Sequence, residues 1–504
     1  MRGRVLDSVA KRSKCEDSEV RAMIDAGTES VDWVQHEFAG VKLGDKRLDR
    51  RLIKTVELLA KFPLSPINEA CGSWADTQAA YRLFDNVKVD PAEILEPHIK
   101  ATSKRVAEVS GPVLVIQDTV FFDYGKHPKT RGLGPIGEGR GERGLVMHNA
   151  MAFTTSDVPL GLLSQNTWTR PEVPEKEEPE KESRRVKRLE CTPIEEKESF
   201  KWLLAMNETL ERSPPRSKLI MVADRESDIF ELLTEAKEQQ THFLIRARCD
   251  RKLVPEENEG YESILEVLTA VEVLGTMTVD IPSNGKRKAR TAEVEVRATQ
   301  VTIKPPKRRG AGKEWASMEP VSVKVIGASE RNPPAGEEAI SWVLLTHLPV
   351  PDLDSATEKI NWYGHRWGIE TWHKVLKSGC KVEDCLLETS ERLTRYLTVF
   401  SIIGVRLMHV CYLARVQPDI AGTEVFSKEE IEALHVRVNS ALPPPEPPSL
   451  REVVRMIGSL AGHLGRKCDG EPGVTVLWRG WMRLYEDVIV LGAHKKALGL
   501  INSS

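Results

Sequence analysis

The chain has 504 residues, with 72 lysines and arginines, 75 aspartates and glutamates, and a formal net charge of −3. This length predicts two or three domains, and a hydrophobic content of 40% is ordinary for a soluble globular protein. No apolar run is expected to reach the length of a membrane span, and the eight scattered cysteines exclude a disulfide scaffold. The basic N-terminus lacks the apolar stretch of a signal peptide, so a cytoplasmic protein without a membrane partner is expected.

The first part of the chain predicts a helical module with a basic surface. Residues 1–30 are expected to be a loose lead, and residues 31–108 hold several stretches with apolar side chains at helical spacing. The segment 42–54 carries six cations against two acids. Local basic surfaces decide contact with phosphates, although this patch alone is equally well explained as a solvated surface. The arginines of this segment are Arg47, Arg50 and Arg51.

A mixed α/β pattern follows over residues 109–440. A glycine-rich loop at 132–144 lacks the Gly-Lys-Ser/Thr ending of a P-loop, which excludes nucleotide binding there. Apolar and polar side chains alternate between glycines and prolines over about 250–350, so this segment is predicted to be β-rich. A proline-rich hinge then leads to a helical C-terminal module, residues 441–504.

Two of the predicted strands end in an aspartate, VLVIQD at Asp118 and LIMVAD at Asp224. A carboxylate at the inner end of a buried strand is costly unless it is paired or binds a cation. Neighbouring strands would place the two carboxylates side by side, where they either share a proton or bind a hard metal ion. Taken singly, each aspartate is better explained as a turn or cap residue. When the helix described next is considered as well, metal binding becomes the better explanation of the two aspartates.

The segment YGHRWGIETWHKVLK, residues 363–377, places a row of polar groups on one helix face. At about 100° per residue the row falls within a stripe about 80° wide, with an apolar face pointing away from it. The commonest explanation of such a row is a solvated charged edge. One carboxylate among three cations, with Trp367 beside them, instead suits a polyanion held next to a metal. The row consists of Tyr363, Arg366, Glu370, Lys374 and Lys377.

Glu370 would complete an oxygen ligand set with the two aspartates. Oxygen-only ligation favours Mg²⁺ or Mn²⁺ over zinc. Two such ions can activate a water or a 3′-hydroxyl and stabilise the leaving oxygen of a phosphodiester, while the cations of the same helix hold the adjoining phosphates. A zinc site at Cys380, Cys385 and His373 lacks a fourth ligand and is set aside.

The spacing of Tyr363, Arg366, Glu370 and Lys377 is the signature Y-x2-R-x3-E-x6-K. In this respect the chain resembles the DDE transposases of bacterial insertion sequences, the IS-four family, and most of all its Tn-five-like branch. The resemblance extends from LGDKRLDRRL through IQDT, ADRESDI, FLIRAR, WVLLT and YGHRWGIETWHK to LWRGWMRLYEDVIVLGA. It implies an α/β fold: a ribonuclease-H-like catalytic core with an inserted β-rich domain, between an N-terminal end-recognition module and a C-terminal dimerisation module.

The resemblance also implies roles for particular residues. Asp118, Asp224 and Glu370 would be catalytic and bind two Mg²⁺ ions, for which Mn²⁺ would substitute. A base flipped out of the DNA would stack on Trp342 and Trp367, of which Trp342 is otherwise better explained as a core residue. The residues implied to grip DNA phosphates are Tyr363, Arg366, Lys374 and Lys377. Arg225 and Arg246 match family positions near the active site and are also expected to bind DNA.

The implied reaction is cut-and-paste transposition through a hairpin intermediate, by a homodimer that bridges two transposon ends in the nucleoid and joins their 3′-hydroxyls to target DNA. Gly368 departs from the family pattern, since a further basic residue is expected there, and His148 is left without a role. Two other functions stay open. One is a metal-dependent DNA nuclease that does not join strands, and the other is a non-catalytic DNA-binding regulator derived from a transposase, against which the intact acidic trio speaks.

Overall fold

A computed structural model describes residues 33–137, 141–172, 192–215, 218–281, 289–306, 318–466 and 469–499. The lead predicted at 1–30 lies outside these residues. The strands are β1 (Val113–Asp123), β2 (Gly134–Pro135), β3 (Arg143–Thr154), β4 (Pro159–Trp168), β5 (Leu219–Ala223), β6 (His242–Arg246), β7 (Gly275–Ile281), β8 (Arg290–Ile303), β9 (Val321–Glu330) and β10 (Ser341–Thr346).

These ten strands form one mixed sheet around the buried strand β1. The strands run in the order β2-β3-β1-β5-β6-β10-β9-β8-β7, and β4 pairs with β3 beside β2. The pairs β1–β5 and β5–β6 are parallel, and the remaining pairs are antiparallel. The segment predicted to be β-rich therefore supplies β7 to β10, which continue the central sheet through the β6–β10 pair.

Helices cover both faces of the sheet. Those before the sheet are α1 (Trp33–Glu37), α2 (Lys46–Lys61), α3 (Ile67–Cys71), α4 (Trp74–Asp85) and α5 (Pro91–Glu108). Those between and after the strands are α6 (Lys201–Arg212), α7 (Phe230–Glu238), α8 (Ile264–Ala270), α9 (Leu353–Gly364), α10 (Trp367–Lys374), α11 (Ser390–Val416), α12 (Lys428–Asn439), α13 (Leu450–Leu460) and α14 (Val474–Ala497).

The alternating side chains of β1 divide the hydrophobic core into two clusters. Leu114 and Ile116 belong to a cluster shared with the N-terminal helices and with α10 to α14. Val113 and Val115 belong to a second cluster on the opposite face, shared mainly with α6, α7 and α8. Because both faces are covered, β1 begins with a continuous apolar run, Val113 to Ile116, which ends just before Gln117 and Asp118.

The helix α11 is the long central element of the first cluster. It has 27 residues and, by length and composition alone, is apolar enough to cross a membrane, which corrects the expectation that no run reaches that length. However, 83% of its most apolar window is buried inside the fold. A helix that is apolar all round and enclosed in this way is a core helix.

A buried polar seam joins the N-terminal helices to the sheet. Glu37 of α1 accepts two hydrogen bonds from the Arg105 guanidinium of α5, at 3.0 and 2.9 Å, and contacts His98 Nδ1. Arg105 Nε donates to the Leu160 carbonyl of β4 (2.6 Å), and His98 Nε2 accepts from the Leu162 N–H (2.9 Å). The His98 ring is therefore neutral, with its proton on Nδ1 facing Glu37.

Candidate active site

The two predicted aspartates lie on adjacent parallel strands, Asp118 in the middle of β1 and Asp224 directly after β5. The last pair in the β1–β5 register is Ile116 with Val222, and continuing that register by two residues sets Asp118 opposite Asp224. Asp224 begins a short 3₁₀ turn, and its Oδ1 accepts from the Glu226 N–H (2.8 Å). The register thus brings together two carboxylates that are distant in sequence.

Glu370 reaches the same place from α10. Its helix is held by Trp372, which is fully buried and whose Nε1 donates to the Ser401 carbonyl (3.2 Å). On the other side of the helix, Arg366 Nη2 lies 2.5 Å from Glu370 Oε1, and Arg366 Nη1 lies 4.0 Å from Asp118 Oδ2. A guanidinium therefore stands between the two carboxylates and balances part of their charge.

The electrostatics of Asp118 show that the acids influence one another. Burial, and to a smaller extent the nearby Asp224 and Glu370, raise the pKa of its carboxyl against the lowering effects of the Thr119 N–H and Arg366, and the net result is a pKa of about 7. Within the described ranges, no three histidine, cysteine or acidic side chains converge as a closed ligand set for one ion. The acids form a shared negative patch whose members would have to close around a cation.

We expect the metal-free Asp118→Asn variant to be more stable than the parent protein above about pH 7. The folded pKa of about 7 exceeds the ordinary value of 3.8, so the parent loses stability as the pH rises between these values. The stability difference should grow over this interval and then level off, at no more than about 4 kcal/mol, since one pKa unit corresponds to about 1.4 kcal/mol. Urea unfolding in a chelator between about pH 4 and 8 measures it, and a pH-independent difference would contradict the assignment.

Basic and phenolic groups stand beside the acids. Burial and then Arg225 and Arg366 lower the pKa of Arg246, which places all three guanidinium groups in one neighbourhood. Arg246 at the end of β6 also donates to the Ser341 carbonyl (3.2 Å). Burial raises the pKa of Tyr363, and its hydroxyl is hydrogen-bonded to Arg366. The site thus places the acidic side chains next to three guanidinium groups and a phenol.

The single helix predicted over 363–377 is interrupted in two places. The backbone tightens at His365 and Arg366, where Arg366 N donates to the Tyr363 carbonyl (3.1 Å), three residues back. After α10, residues Val375–Gly379 form a wide π turn, closed by Cys380 N donating to the Val375 carbonyl (2.7 Å). The five polar residues therefore do not form the straight stripe that a uniform helix would give.

The two lysines of the predicted row, Lys374 and Lys377, have different surroundings because the π turn begins between them. Lys374 is exposed at the end of α10. Lys377 lies in the turn, where its Nζ is 3.1 Å from Glu383 Oε1 and 6.0 Å from the centre of the Phe122 ring. Glu383 in turn accepts from the Asp123 N–H (2.8 Å), so Lys377 is tied to the end of β1.

The two tryptophans predicted to receive a base differ in exposure. Trp367 is 57% exposed, and the Arg366 guanidinium carbon lies 5.4 Å from the centre of its ring. Trp342 on β10 is partly buried and packs against the first core cluster. Gly368 faces inward, and a Cβ there would lie 2.8 Å from the Phe153 ring. A basic side chain at that position would therefore clash with the core instead of reaching solvent.

The structure shows the contacts of two histidines, which the sequence pattern did not predict. His148, left unassigned, is buried between the Thr119 hydroxyl (2.9 Å) and Gln117 Oε1 (3.3 Å), which makes it a core residue. His373, considered only as a zinc ligand, has its Nδ1 3.8 Å from Asp118 Oδ2. Burial lowers the pKa of His373 to about 3, so its ring is neutral. The only signal in the sequence was its spacing of three residues from Glu370.

The N-terminal arginines form a separate basic surface. Arg47, Arg50 and Arg51 line a hollow of about 280 Å³ on α2, together with Lys54. Lys54 Nζ is paired with Asp76 of α4 at 2.5 Å. None of the contacts among the described residues connects these arginines to Asp118, Asp224 or Glu370.

Comparison with known protein families gives three successive matches. Residues 30–89 match a transposase DNA-binding model, residues 201–403 a transposase DDE domain, and residues 402–497 a Tn5 transposase dimerisation domain. The protein is therefore an enzyme that cleaves DNA and transfers strands. The chain belongs to the DDE transposases of the IS-four family, Tn-five-like branch, which confirms the resemblance inferred from the sequence. Divalent metal dependence follows from that membership.

A likeness to a solved structure is more distant. A cryo-EM structure of a piggyBac transposase synaptic complex with hairpin DNA is similar over 78% of this chain and 75% of that chain. The sequence identity is 10% and the TM-score 0.33, so this likeness carries no argument. The DDE match contains Asp224 and Glu370 but begins after Asp118.

Proposed function

We propose that this enzyme moves DNA by a cut-and-paste route in which Asp118, Asp224 and Glu370 bind the divalent ions. The observation that supports the proposal is that Asp224 and Glu370 both lie near enough to Asp118 to raise its pKa, with Arg366 between Asp118 and Glu370. Such a donor set, all oxygen and short of positive charge, fits Mg²⁺ or Mn²⁺. Two ions, when bound, activate the attacking hydroxyl and stabilise the leaving oxygen.

Arg366 would change partners during the reaction. It now neutralises Glu370 at 2.5 Å and lies 4.0 Å from Asp118. With ions bound by the carboxylates, the Arg366 guanidinium would be free to bind a DNA phosphate through two parallel hydrogen bonds. Tyr363 and Arg246, which share its neighbourhood, would bind the same phosphate region. Arg225, Lys374 and Lys377 extend this basic surface.

Trp367 is proposed to stack with a base that leaves the duplex at the transposon end. A largely exposed indole beside an arginine offers both an aromatic face and a phosphate ligand. Trp342, partly buried on β10, would support the opposite side of the base. A flipped base next to the scissile bond would allow a freed 3′-hydroxyl to attack the opposite strand and form a hairpin.

We expect Trp367→Ala to slow end cleavage about tenfold or more, since stacking of one base contributes about 1–3 kcal/mol. The loss should appear mainly after the first nick, when the base must leave the stack. A fluorescent base analogue at the end position reports flipping, and gel analysis of nicked, hairpin and cut products reports the step. Trp367→Phe, which keeps an aromatic face, is the matched control. Equal rates for the alanine and phenylalanine variants would contradict the stacking role.

The remaining modules would organise the DNA and the subunits. The strands β4-β3-β1-β5-β6 would form a ribonuclease-H-like core, with β7 to β10 as its insertion. The basic surface of Arg47, Arg50 and Arg51 would bind the terminal inverted repeats. Ile489 and Val490 on α14 are 54% and 68% exposed, and these apolar side chains within the dimerisation match suit contact with a second copy.

Supplying pre-cut ends tests the proposal directly. With Mg²⁺ or Mn²⁺ and a supercoiled target plasmid, the enzyme should join the 3′-hydroxyls to the plasmid. A plain nuclease would cut intact ends but give no joined product. A binding regulator would retain both substrates unchanged, and either result would replace the transposase proposal.

A further inference from the structure

A row of polar side chains crosses the sheet next to Asp118. The antiparallel β1–β3 register sets Asn149 directly opposite Asp118, and the β3–β4 register sets Gln165 opposite Asn149. Residues directly opposite in neighbouring strands project to the same face. That face is the one covered by α10 and α11, since Gln165 Nε2 donates to Thr398 of α11 (3.3 Å).

Asn149 is a costly residue at this position. Its side chain is fully buried, and neither Oδ1 nor Nδ2 has a hydrogen-bond partner among the residues that the structure describes. Gln165 Oε1 and His373 Nε2 are also unpartnered within the same part of the chain. Each buried unsatisfied polar group costs about 1–3 kcal/mol, which an apolar side chain of similar size would avoid. Packing alone therefore does not account for an asparagine here.

Asp118 has a carboxylate oxygen that lacks a close donor. Its Oδ1 accepts from the Thr119 N–H at 2.8 Å. Its Oδ2 lies 3.8 Å from His373 Nδ1 and 4.0 Å from Arg366 Nη1, both beyond hydrogen-bond distance. The Cβ atoms of directly opposite residues in an antiparallel pair lie about 4.5–5.5 Å apart, so one water can bridge the Asn149 amide and this oxygen.

We propose that Asn149 is the positioning residue for Asp118. Its Nδ2–H donates to the Asp118 carboxylate through one bound water and so fixes the rotation of that carboxylate towards Asp224 and Glu370. Gln165, next in the row, extends the same polar layer away from the site. The inference rests on the proposed function, because Asp118 is a metal-binding residue there.

The test compares Asn149→Leu with the parent protein in three measurements. Urea stability without metal should be retained or increased, because an unsatisfied amide is removed. Mn²⁺ affinity, measured by calorimetry, should fall about 10–100-fold, and kcat for end cleavage should fall by a similar factor. The Kd for end DNA in a chelator should stay within about twofold, since the DNA-binding residues are unchanged. Asn149→Ser, whose hydroxyl and one water can replace the amide donor, should recover part of both losses.

Asn166→Leu is the matched control. Asn166 lies on β4 and faces away from the site, where its Nδ2 donates to Glu208 Oε2 (3.1 Å). The Asn166→Leu substitution should lower the stability of the protein and leave its Mn²⁺ affinity unchanged. Parent-like Mn²⁺ affinity and kcat in Asn149→Leu, or in Asn149→Ala should the leucine variant not fold, would overturn the inference alone. A parent protein that neither binds Mn²⁺ nor cuts DNA would overturn the proposed function as well.

Discussion

Asp118→Ala is expected to lower the rate of end cleavage by about 10³-fold or more while changing the affinity for a transposon end by less than about threefold. Asp224, Glu370 and Arg366 all influence the charge of this carboxylate, and under the proposed function its removal takes away a metal ligand and not a DNA contact. Asp224→Ala and Glu370→Ala should give losses of the same order, because the three acids are proposed to bind the same ions. Cleavage of labelled end DNA in Mg²⁺ and gel-shift titration in a chelator measure the two quantities.

Glu226→Ala serves as the control for this series. Glu226 follows Asp224 by two residues, and its side chain is 66% exposed and faces Lys201. Its removal should leave the cleavage rate within about threefold. If all three acid-to-alanine variants cut as fast as this control, the acidic patch would not be the catalytic centre. If the parent itself never cut but bound ends well, the regulator interpretation would replace the enzyme.

Glu37→Ala is expected to destabilise the protein by about 3–5 kcal/mol. Burial alone would raise the pKa of Glu37, but Arg105 and His98 together lower it well below its usual range. Removing this carboxylate leaves the Arg105 guanidinium largely enclosed without its counter-ion, which is the costly way to break a buried pair. Urea unfolding followed by tryptophan fluorescence measures the loss.

An exposed pair on the same helix provides the comparison. Glu96 and Lys100 of α5 are 2.9 Å apart, with side chains 48% and 67% exposed. Glu96→Ala should cost less than about 1 kcal/mol, because exposed pairs contribute little. Equal losses for Glu37→Ala and Glu96→Ala would show that the seam adds nothing beyond an ordinary surface ion pair.

The parts of the site that could be predicted from the sequence are those with a local signal. A buried apolar run that ends in an acid marks both Asp118 and Asp224, and helical spacing groups Tyr363, Arg366 and Glu370. The structure places these residues in one neighbourhood. Their roles in catalysis remain proposals, whereas the family assignment rests on separate matches.

Other features depend on contacts between distant segments and had no local signal. Uniform helical geometry did not predict the π turn after α10, where the Trp478 ring packs so closely that Gly379 has no room for a Cβ. The position of Asn149 follows only from the β1–β3 register. Likewise, Glu37 and Arg105 are 68 residues apart, and no pattern in the sequence around either residue predicts their contact.

The seam between α1, α5 and β4 also limits how such enzymes can be recombined. A chimera that takes only residues 30–89, the span of the DNA-binding match, from another transposase would place a foreign side chain opposite Arg105 and His98. Unless the donor supplies a carboxylate at that point, the graft would confer new repeat specificity on a poorly folded enzyme. Breakpoints chosen after α5 would move Glu37, His98 and Arg105 together, and only the backbone groups of Leu160 and Leu162, which any sequence provides, would be left to the recipient.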